Sequence, residues 1–404
     1  MTAEEPISNL DSKMKPSSWD NWENEESTSF IYQVQNGRKG LNAGLSNGLQ
    51  RINRYLYGTQ RGRYYLIGAD SSVGKTTFTD YVFVLQTWLA AKKAGIRIKI
   101  FYCSFEVSKL DKIARWVSYY IFMKYGKCIP SEYILGRIEG KTVEEDELPL
   151  IMESYKVVTE MMEDVIMVDN AVHPTKVFED IINFHYEKEG KVIRSAVPEH
   201  EAKKGKKGHI VKYLPNDPTA YTLLVIDHLG LLQPEMGLSL KNTMDKMSRY
   251  CIILKNLFQT TCVVIQQFST DLLQHKRDMI GKLTDAKKGS AIIPTRLDFG
   301  DSKATFRDAE VVIGLVKPHL FDIEDFWGIN TSSIARGGFG DFFFLNCLMK
   351  NRYGVSNKVI PQFLNPIAGV VEDLPNSLDS TVFEPWLKKA RELDNLAQHY
   401  IPKS

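Results

Sequence analysis

The chain has 404 residues, of which 43% are hydrophobic and 25% charged, and its net charge is +2. This composition is typical of a folded protein with a large core. A net charge so close to zero neither favours nor excludes a nucleic-acid partner. The sequence has no run of about 20 apolar residues, no signal-peptide pattern and no CxxC pair, which excludes a membrane-spanning helix and a structural zinc site and predicts a cytoplasmic protein, in the host cytoplasm if it is viral.

The first predicted segment, residues 1–40, is a flexible acidic arm or linker. Residues 1–30 carry seven acidic and two basic side chains between Ser, Pro and Asn, too few apolar groups for a core of their own. A loop and a short helix are predicted for residues 41–57. They open a domain that we expect to end at residue 375, before a helical tail at 376–404.

Apolar strands alternate with periodic helices through this domain. Strands are predicted at residues 64–68, 96–104, 165–169, 222–227, 262–266, 311–316 and 342–349, and helices at 76–94, 110–123, 175–186 and 243–259. This rhythm predicts an α/β fold with a mostly parallel central sheet flanked by helices. Two segments interrupt it: a basic, Gly-rich exposed insertion at about 187–217 and a long loop at about 272–305.

The first predicted strand ends in a phosphate-loop pattern, G-x-x-x-x-G-K-[ST], which begins at Gly68 and ends at Thr76. Its glycines allow successive backbone N–H groups to face phosphate oxygens, and the next helix presents its positive end. Lys75 is expected to reach the β- and γ-phosphates and the Thr76 hydroxyl to bind Mg²⁺. The pattern predicts ATP and Mg²⁺ as cofactors, and the residues expected to bind the nucleotide are Gly68, Ser71, Ser72, Val73, Gly74, Lys75, Thr76 and Thr77.

A P-loop enzyme also needs an acidic group at the end of a neighbouring strand to hold magnesium. Asp227 closes the apolar run LLVID and is the predicted metal residue with Thr76. Asp169 closes VIMVD and is its main competitor. Pro174 and a predicted helix follow Asp169 closely, which is typical of a turn and a helix N-cap.

Taken together, these motifs resemble the ATPase domain of DnaB-type replicative helicases, a family of RecA-like hexameric motors. The resemblance runs from about residue 41 to residue 374 and includes ordered blocks: FYCSFEV is similar to the family's FSLEM block, and LLVIDHLGLL to IIVDYLQL. In the second block His228 and Gly230 stand where the family has tyrosine and glutamine. The resemblance implies a RecA-like P-loop NTPase core and ATP hydrolysis.

The resemblance also implies catalytic roles beside that of Lys75. Glu106 would polarise the attacking water, with a helix-capping glutamate as the alternative. Gln267, or Gln266 if the alignment is off by one, would couple the γ-phosphate to a DNA-binding loop. Lys350 and Arg352, in LMKNRYG, would reach the neighbouring subunit's nucleotide, with a strand-end pair beside a turn as the alternative.

A motor of this family holds single-stranded DNA in a channel lined by two loops per subunit. The first loop is expected at about residues 233–242 and the second within 274–305, where basic residues suit a phosphate backbone. A second lysine cluster, in the predicted insertion, is either a surface feature or a DNA contact: Lys203, Lys204, Lys206 and Lys207. The residues expected to bind DNA are Lys276, Arg277, Lys282, Lys287 and Lys288.

The function implied is an ATP-dependent DNA helicase of a replication system, a homo-hexameric ring that translocates on single-stranded DNA and unwinds duplex. A primase, a loader or a polymerase would be its partners, and no membrane is expected. The segment before the ATPase domain is shorter than the family's N-terminal helical domain, which suggests a phage or plasmid type with a reduced N-terminal region. Two alternatives stay open: a RecA/RadA-like recombination or repair ATPase, and a nucleotide-dependent DNA-handling scaffold that does not unwind.

Overall fold

The structure is a computed structural model that describes residues 30–400, except 41, 199, 201–204, 206, 270–277, 279, 281–282, 284, 301–302 and 376–378. The chain divides into two compact units, Met1–Gly44 and Leu45–Ser404. In the described part of the first unit, helix α1 spans Phe30–Arg38. Most of the predicted acidic arm, residues 1–29, lies outside the described residues.

The second unit is built on β-strands that follow the predicted rhythm. Their bounds are β1 (Tyr64–Ala69), β2 (Ile98–Ser104), β3 (Val165–Val168), β4 (Gly190–Arg194), β5 (Ile210–Pro215), β6 (Tyr221–Asp227), β7 (Thr261–Gln267), β8 (Val311–Val316), β9 (Asp325–Phe326), β10 (Ile329–Asn330), β11 (Phe343–Asn351), β12 (Lys358–Asn365) and β13 (Val370–Asp373).

Within the described residues, nine of these strands form one sheet in the order β13-β12-β11-β8-β1-β7-β6-β2-β3. The six strands from β8 to β3 run parallel, and β11, β12 and β13 continue the sheet in antiparallel fashion. The predicted fold class, a mostly parallel sheet flanked by helices, is confirmed.

Helices connect the strands and cover both faces of the sheet. The α-helices of the second unit are α2 (Gln50–Leu56), α3 (Lys75–Thr79), α4 (Gln86–Ala94), α5 (Lys109–Tyr125), α6 (Ser131–Ile134), α7 (Leu148–Asp164), α8 (Pro174–Ile181), α9 (Glu187–Glu189), α10 (Leu240–Phe258), α11 (Asp285–Ala291), α12 (Lys303–Asp308) and α13 (Glu384–Tyr400). Two π-helical stretches, Asp80–Leu85 and Ile182–Tyr186, join α3 to α4 and α8 to α9.

The core lies in two layers, one on each face of the sheet. On β1, Tyr65 and Ile67 pack into the layer that also holds Trp116 of α5, whereas Leu66 packs into the layer that holds Met247 of α10. Because helices cover both faces, every residue of β1 is buried. This explains why the strand is a continuous apolar run and shows no alternation.

The segment predicted as an exposed insertion, residues 187–217, forms an antiparallel hairpin of β4 and β5. The base of this hairpin is held against the helix layer, because the Tyr213 ring lies 5.0 Å from the rings of both Tyr186 and Phe258. Near its tip, residues 199, 201–204 and 206 lie outside the described residues.

All five cysteines are free and buried: Cys103, Cys128, Cys251, Cys262 and Cys347. No helix in the described part of the chain is both long and apolar enough to cross a membrane.

Candidate nucleotide-binding site

The P-loop connects β1 to α3 at the carboxyl edge of the parallel strands. Gly74 has a φ of +101°, a left-handed conformation that residues with a Cβ rarely adopt. A Cβ at Gly68 would lie 2.5 Å from the rings of both Phe268 and Phe299. Both motif glycines are therefore required by the backbone geometry and by close packing.

Lys75 begins α3 and is almost completely buried. Its ammonium donates to the backbone carbonyl of Asp70 at 2.7 Å, which closes the loop around the side chain. Burial lowers the pKa of Lys75, and the nearby carboxylates of Glu106, Asp227 and Asp70 oppose this effect by raising it. The Asp70 carboxylate, an unusual charge for a phosphate loop, accepts the backbone N–H of Ser71 at 2.6 Å.

Thr76 and Asp227 are brought together where α3 meets the end of β6. The Thr76 hydroxyl lies 3.1 Å and 2.9 Å from the two carboxylate oxygens of Asp227. Hydroxyl and carboxylate oxygens are ligands that Mg²⁺ accepts, and Mg²⁺ commonly takes few protein ligands beside substrate phosphates. Among the described residues no group of three or more His, Cys, Asp or Glu side chains is placed to hold a metal ion.

Glu106 and His228 lie close enough to Lys75 to interact with it electrostatically. Glu106 follows β2 and is exposed. Burial lowers the pKa of His228, while the Asp227 and Glu106 carboxylates raise it and Lys75 lowers it further. The helix that follows Glu106 is capped by Ser108, whose side chain accepts the N–H of Asp111, so Glu106 does not have the capping role.

Asp169, the competitor for the metal role, lies elsewhere. It is exposed and follows β3, the edge strand, which β2 separates from β6. Its carboxylate accepts the backbone N–H of Lys109 at the start of α5, at 3.2 Å. The expectation that Asp169 caps the next helix is wrong, because the N-cap of α8 is His173, whose Nδ1 accepts the N–H of Lys176 at 3.1 Å.

The two glutamines at the end of β7 have different environments. Gln266 is buried, its amide donating to the Phe299 carbonyl at 3.0 Å and accepting from the Thr305 hydroxyl at 2.6 Å. Gln267 is half-buried and lies beside Ala69, the last residue of β1, in the parallel ladder. Both glutamines therefore lie beside the start of the P-loop, Gln266 next to Gly68 and Gln267 next to Ala69, and the Gln266 amide is held there by two hydrogen bonds.

No protein-family model matches the chain, and no curated protein is similar to it in sequence. Many solved structures are similar to the chain in three dimensions, including the following two. The ATPase domain of G40P matches with a TM-score of 0.55 and 16% identity, over 85% of this chain and 96% of that one. A DnaB-like replicative helicase, studied with its interactions with primase, matches with a TM-score of 0.56 and 16% identity, over 92% of this chain and 72% of that one.

The chain has the fold of DnaB-like helicase ATPase domains. In this DnaB-like fold, Lys350 and Arg352 lie at the end of the sheet where the parallel strands begin, whereas the chain's own P-loop lies at the end where they finish. Asn351 pairs with Val311, the first residue of β8, and the Arg352 N–H donates to the Glu310 carbonyl at 3.0 Å. From this level to the end of β1 the sheet extends four residues, roughly 13 Å.

Lys350 and Arg352 are engaged to different degrees. The Lys350 ammonium donates to the backbone carbonyls of Phe306, Arg307 and Ala309 at 2.9, 2.8 and 2.6 Å, around the C-terminus of α12. Burial, and then the nearby Arg352, lower the pKa of Lys350 to about 8. Arg352 is exposed, and its guanidinium donates to the Arg307 carbonyl at 3.0 Å.

The two segments of this DnaB-like domain expected to contact DNA are described in part. The first loop is anchored at its root, because Glu235 accepts from the Thr175 N–H and hydroxyl at 3.1 and 2.7 Å and pairs with Lys246. In the second, Lys276, Arg277 and Lys282 lie outside the described residues, as do Lys203, Lys204 and Lys206 of the other lysine cluster. Lys287 and Lys288 belong to α11, and the Lys288 side chain is half-buried.

A buried polar network that the sequence did not predict adjoins Asp227, formed by Asp80, Tyr102 and Lys112. A signal for it exists: Lys112 precedes Trp116 by four residues, which puts a lysine on the apolar face of α5. Asp80 likewise stands among Phe, Tyr and Val in the helix after the P-loop. Neither position revealed from sequence which partner would balance the charge.

Proposed function

We propose that this protein is an ATP-dependent DNA helicase of a replication system, a hexameric motor that translocates on single-stranded DNA and unwinds duplex. One observation carries the proposal: a P-loop whose Thr76 hydroxyl lies against the Asp227 carboxylate at 2.9 Å, within a DnaB-like fold. This pair supports the proposal, because a P-loop enzyme holds the magnesium of its nucleotide with a hydroxyl and a carboxylate.

Each residue at the P-loop edge then has a chemical part. The backbone amides of the loop and Lys75 bind the phosphates, Lys75 exchanging its bond to the Asp70 carbonyl for phosphate oxygens. Bound Mg²⁺, held by Thr76 and Asp227, would supply neutralisation of the phosphate charge. The exposed Glu106 carboxylate orients the attacking water and accepts its proton.

Completion of the site from a neighbouring subunit is also part of the proposal. Arg352 lies at the far edge of the sheet, so it can reach a triphosphate only in another chain. A guanidinium supplied in trans stabilises the charge of the transition state. Because the Lys350 ammonium is bound by three carbonyls, we assign the reaching role to Arg352 and propose that Lys350 fixes the strand end that presents it.

Single-stranded DNA is proposed as the polymer partner, bound through the basic residues of segment 272–305. The solved relative that was studied with primase supports a primase as a protein partner. Sequence-independent binding to a phosphate backbone weakens steeply as salt rises, which gives the DNA contact a simple signature.

The test combines assembly and activity on one sample. Mass photometry with ATP, Mg²⁺ and single-stranded DNA is expected to give a hexamer, and the same sample is expected to hydrolyse ATP faster with DNA and to separate a forked duplex. Open filaments on DNA in electron micrographs would favour a recombination ATPase. A ring that hydrolyses ATP and never separates the fork would contradict the helicase.

Glu106→Gln separates an enzyme from a scaffold. If Glu106 is the base, this variant still binds ATP while hydrolysis falls by about a hundredfold or more, because general-base catalysis contributes 10²–10⁴-fold. A variant with unchanged ATPase activity, or with DNA handling that persists without turnover, would support the scaffold.

A further inference from the structure

A buried ionic network lies directly behind Asp227. Lys112, on α5, is fully buried, and its ammonium lies 3.1 Å from an Asp80 carboxylate oxygen and 2.9 Å from the Tyr102 hydroxyl. The same ammonium lies 3.6 Å from Oδ2 of Asp227. Trp116, one turn further along α5, donates its indole N–H to Asp80 at 3.2 Å.

Tyr102 bridges the two carboxylates. Its hydroxyl donates to Oδ1 of Asp80 at 2.6 Å and lies 3.3 Å from Oδ2 of Asp227. Tyr102 is completely buried, so its hydroxyl meets the two carboxylates away from solvent. Three elements therefore meet here: the helix after the P-loop, the strand β2 and the helix that follows Glu106.

The network is costly to bury and is not needed to fill space. Removing charged groups from water costs several kcal/mol per ion, and well-packed apolar residues often serve stability as well or better than a buried ion pair. Lys112 also contributes a positive charge 3.6 Å from Asp227, where a metal ion would add its own. The π-helical stretch begins at Asp80, the residue that binds Lys112. The helix after the P-loop therefore departs from α-helical geometry at this residue.

We propose that Lys112, held by Asp80 and acting with Tyr102, is a positioning residue for the magnesium carboxylate. The proposal rests on the proposed function, since it assigns Asp227 to the metal of a bound nucleotide. Lys112 and Tyr102 lie against Oδ2 of Asp227, the oxygen that is also nearest to the Thr76 hydroxyl, and this fixes the position of the carboxylate at Thr76. Residues that orient a metal ligand typically change metal affinity 10- to 100-fold when they are removed.

Three variants test this inference. Tyr102→Phe removes the bridge to Asp227 and leaves the Lys112–Asp80 pair intact. The double variant Asp80→Asn/Lys112→Met removes both charges together, because Lys112→Met alone would leave Asp80 buried and unpaired. Trp116→Phe is the matched control, since it removes a donor to Asp80 and keeps an aromatic ring beside Tyr102.

The measurement is the binding of a fluorescent ATP analogue, first in EDTA and then through a Mg²⁺ titration, beside the thermal midpoint of each variant. Tyr102→Phe and the double variant are expected to need about tenfold more Mg²⁺ for half-saturation, with nucleotide affinity in EDTA unchanged. Trp116→Phe is expected to lower the thermal midpoint and to keep the wild-type Mg²⁺ requirement.

Other outcomes overturn the inference. If Tyr102→Phe keeps the wild-type Mg²⁺ requirement, or Trp116→Phe shifts it equally, the network serves folding alone. Should the double variant not fold, Tyr102→Phe against Trp116→Phe still decides. A wild-type protein that binds the analogue without any response to Mg²⁺ would overturn both the inference and the proposed function, whereas a normal wild-type response with unshifted variants overturns only the inference.

Discussion

Asp227 and Asp169 both close apolar strands, and their surroundings differ at the level of single atoms. Asp227 is 1% exposed and lies against a hydroxyl of the P-loop helix, with Lys112 behind it. Asp169 is exposed and accepts one backbone N–H at the start of α5. Of the two, Asp227 has the surroundings that the proposed magnesium role requires, because it lies against the Thr76 hydroxyl.

This difference predicts opposite outcomes for two matched substitutions. Asp227→Asn is expected to lower the rate of ATP hydrolysis at least about a hundredfold, because a metal ion contributes several kcal/mol of charge stabilisation. Asp169→Asn is expected to hydrolyse ATP like the wild type. Phosphate release at saturating Mg²⁺ measures both, with circular dichroism to verify folding, and an equal loss in the two variants would contradict the assignment.

The sequence supports the prediction of a P-loop because the motif is local: its glycines, lysine and threonine lie within nine consecutive positions. Asp227 is predictable as an acidic residue that ends an apolar strand. The pairing of Lys112 with Asp80 is not, because 32 residues separate the two and the charges meet only once α5 packs against the P-loop helix. Charges that balance each other across the fold leave no periodic signal.

Among the helices and strands, the π-helical stretch Ile182–Tyr186 holds a histidine in a semi-buried position. The Nε2 of His185 lies 2.9 Å from the Thr222 hydroxyl of β6, and its ring meets the edge of Phe101 of β2. Burial lowers the pKa of His185 to about 4, against Glu189, which raises it, while Lys99 and Arg97 lower it further. The folded chain therefore favours the neutral imidazole.

A histidine with a lowered folded-state pKa stabilises the protein fully above its unfolded pKa of about 6.5 and loses that contribution as pH falls towards 4. We expect the thermal midpoint of the wild type to fall more steeply between pH 6.5 and 4 than that of His185→Gln, which keeps a hydrogen-bonding amide. His399→Gln, at an exposed histidine, is the control and is expected to keep the wild-type slope. Equal slopes in all three would argue against a buried neutral His185.

Prediction of elements succeeded where burial on both faces gives continuous apolar runs, as in β1, β6 and β8. It could not show the π-helical stretch Asp80–Leu85, because six residues are too few to separate its period from that of an α-helix. Helix α7 received no prediction. The hairpin of β4 and β5 was not predicted within the exposed insertion, because a basic, Gly-rich segment separates its two short strands.

Across the whole molecule, the P-loop and Arg352 lie at opposite edges of one sheet. The parallel strands end at the P-loop, while β11 runs back antiparallel to β8 and ends at Asn351, beside the first residue of β8. A rigid sheet of this kind cannot bring the two edges together. If Arg352 takes part in hydrolysis, it does so for another chain, and each interface of the proposed ring pairs one P-loop with one Arg352.

Mixing two inactive variants tests this arrangement. Lys75→Ala removes the phosphate-binding lysine and Arg352→Ala the guanidinium, so each protein alone is expected to be inactive. In an equal mixture, random assembly through repeated head-to-tail interfaces gives about a quarter of the sites an intact Lys75 and an intact Arg352, and about a quarter of the wild-type ATPase rate is expected.

The control for that mixture is Lys75→Ala with Glu106→Gln, two changes on the same side of an interface. Lys75 and Glu106 act in one chain, where the Glu106 carboxylate already raises the pKa of Lys75. In this mixture every chain lacks either Lys75 or Glu106. No site therefore contains both residues, and no activity should return. If no activity returns in the mixture with Arg352→Ala, Arg352 does not act in the neighbouring site. Activity that returns equally in the control mixture would contradict the arrangement as well.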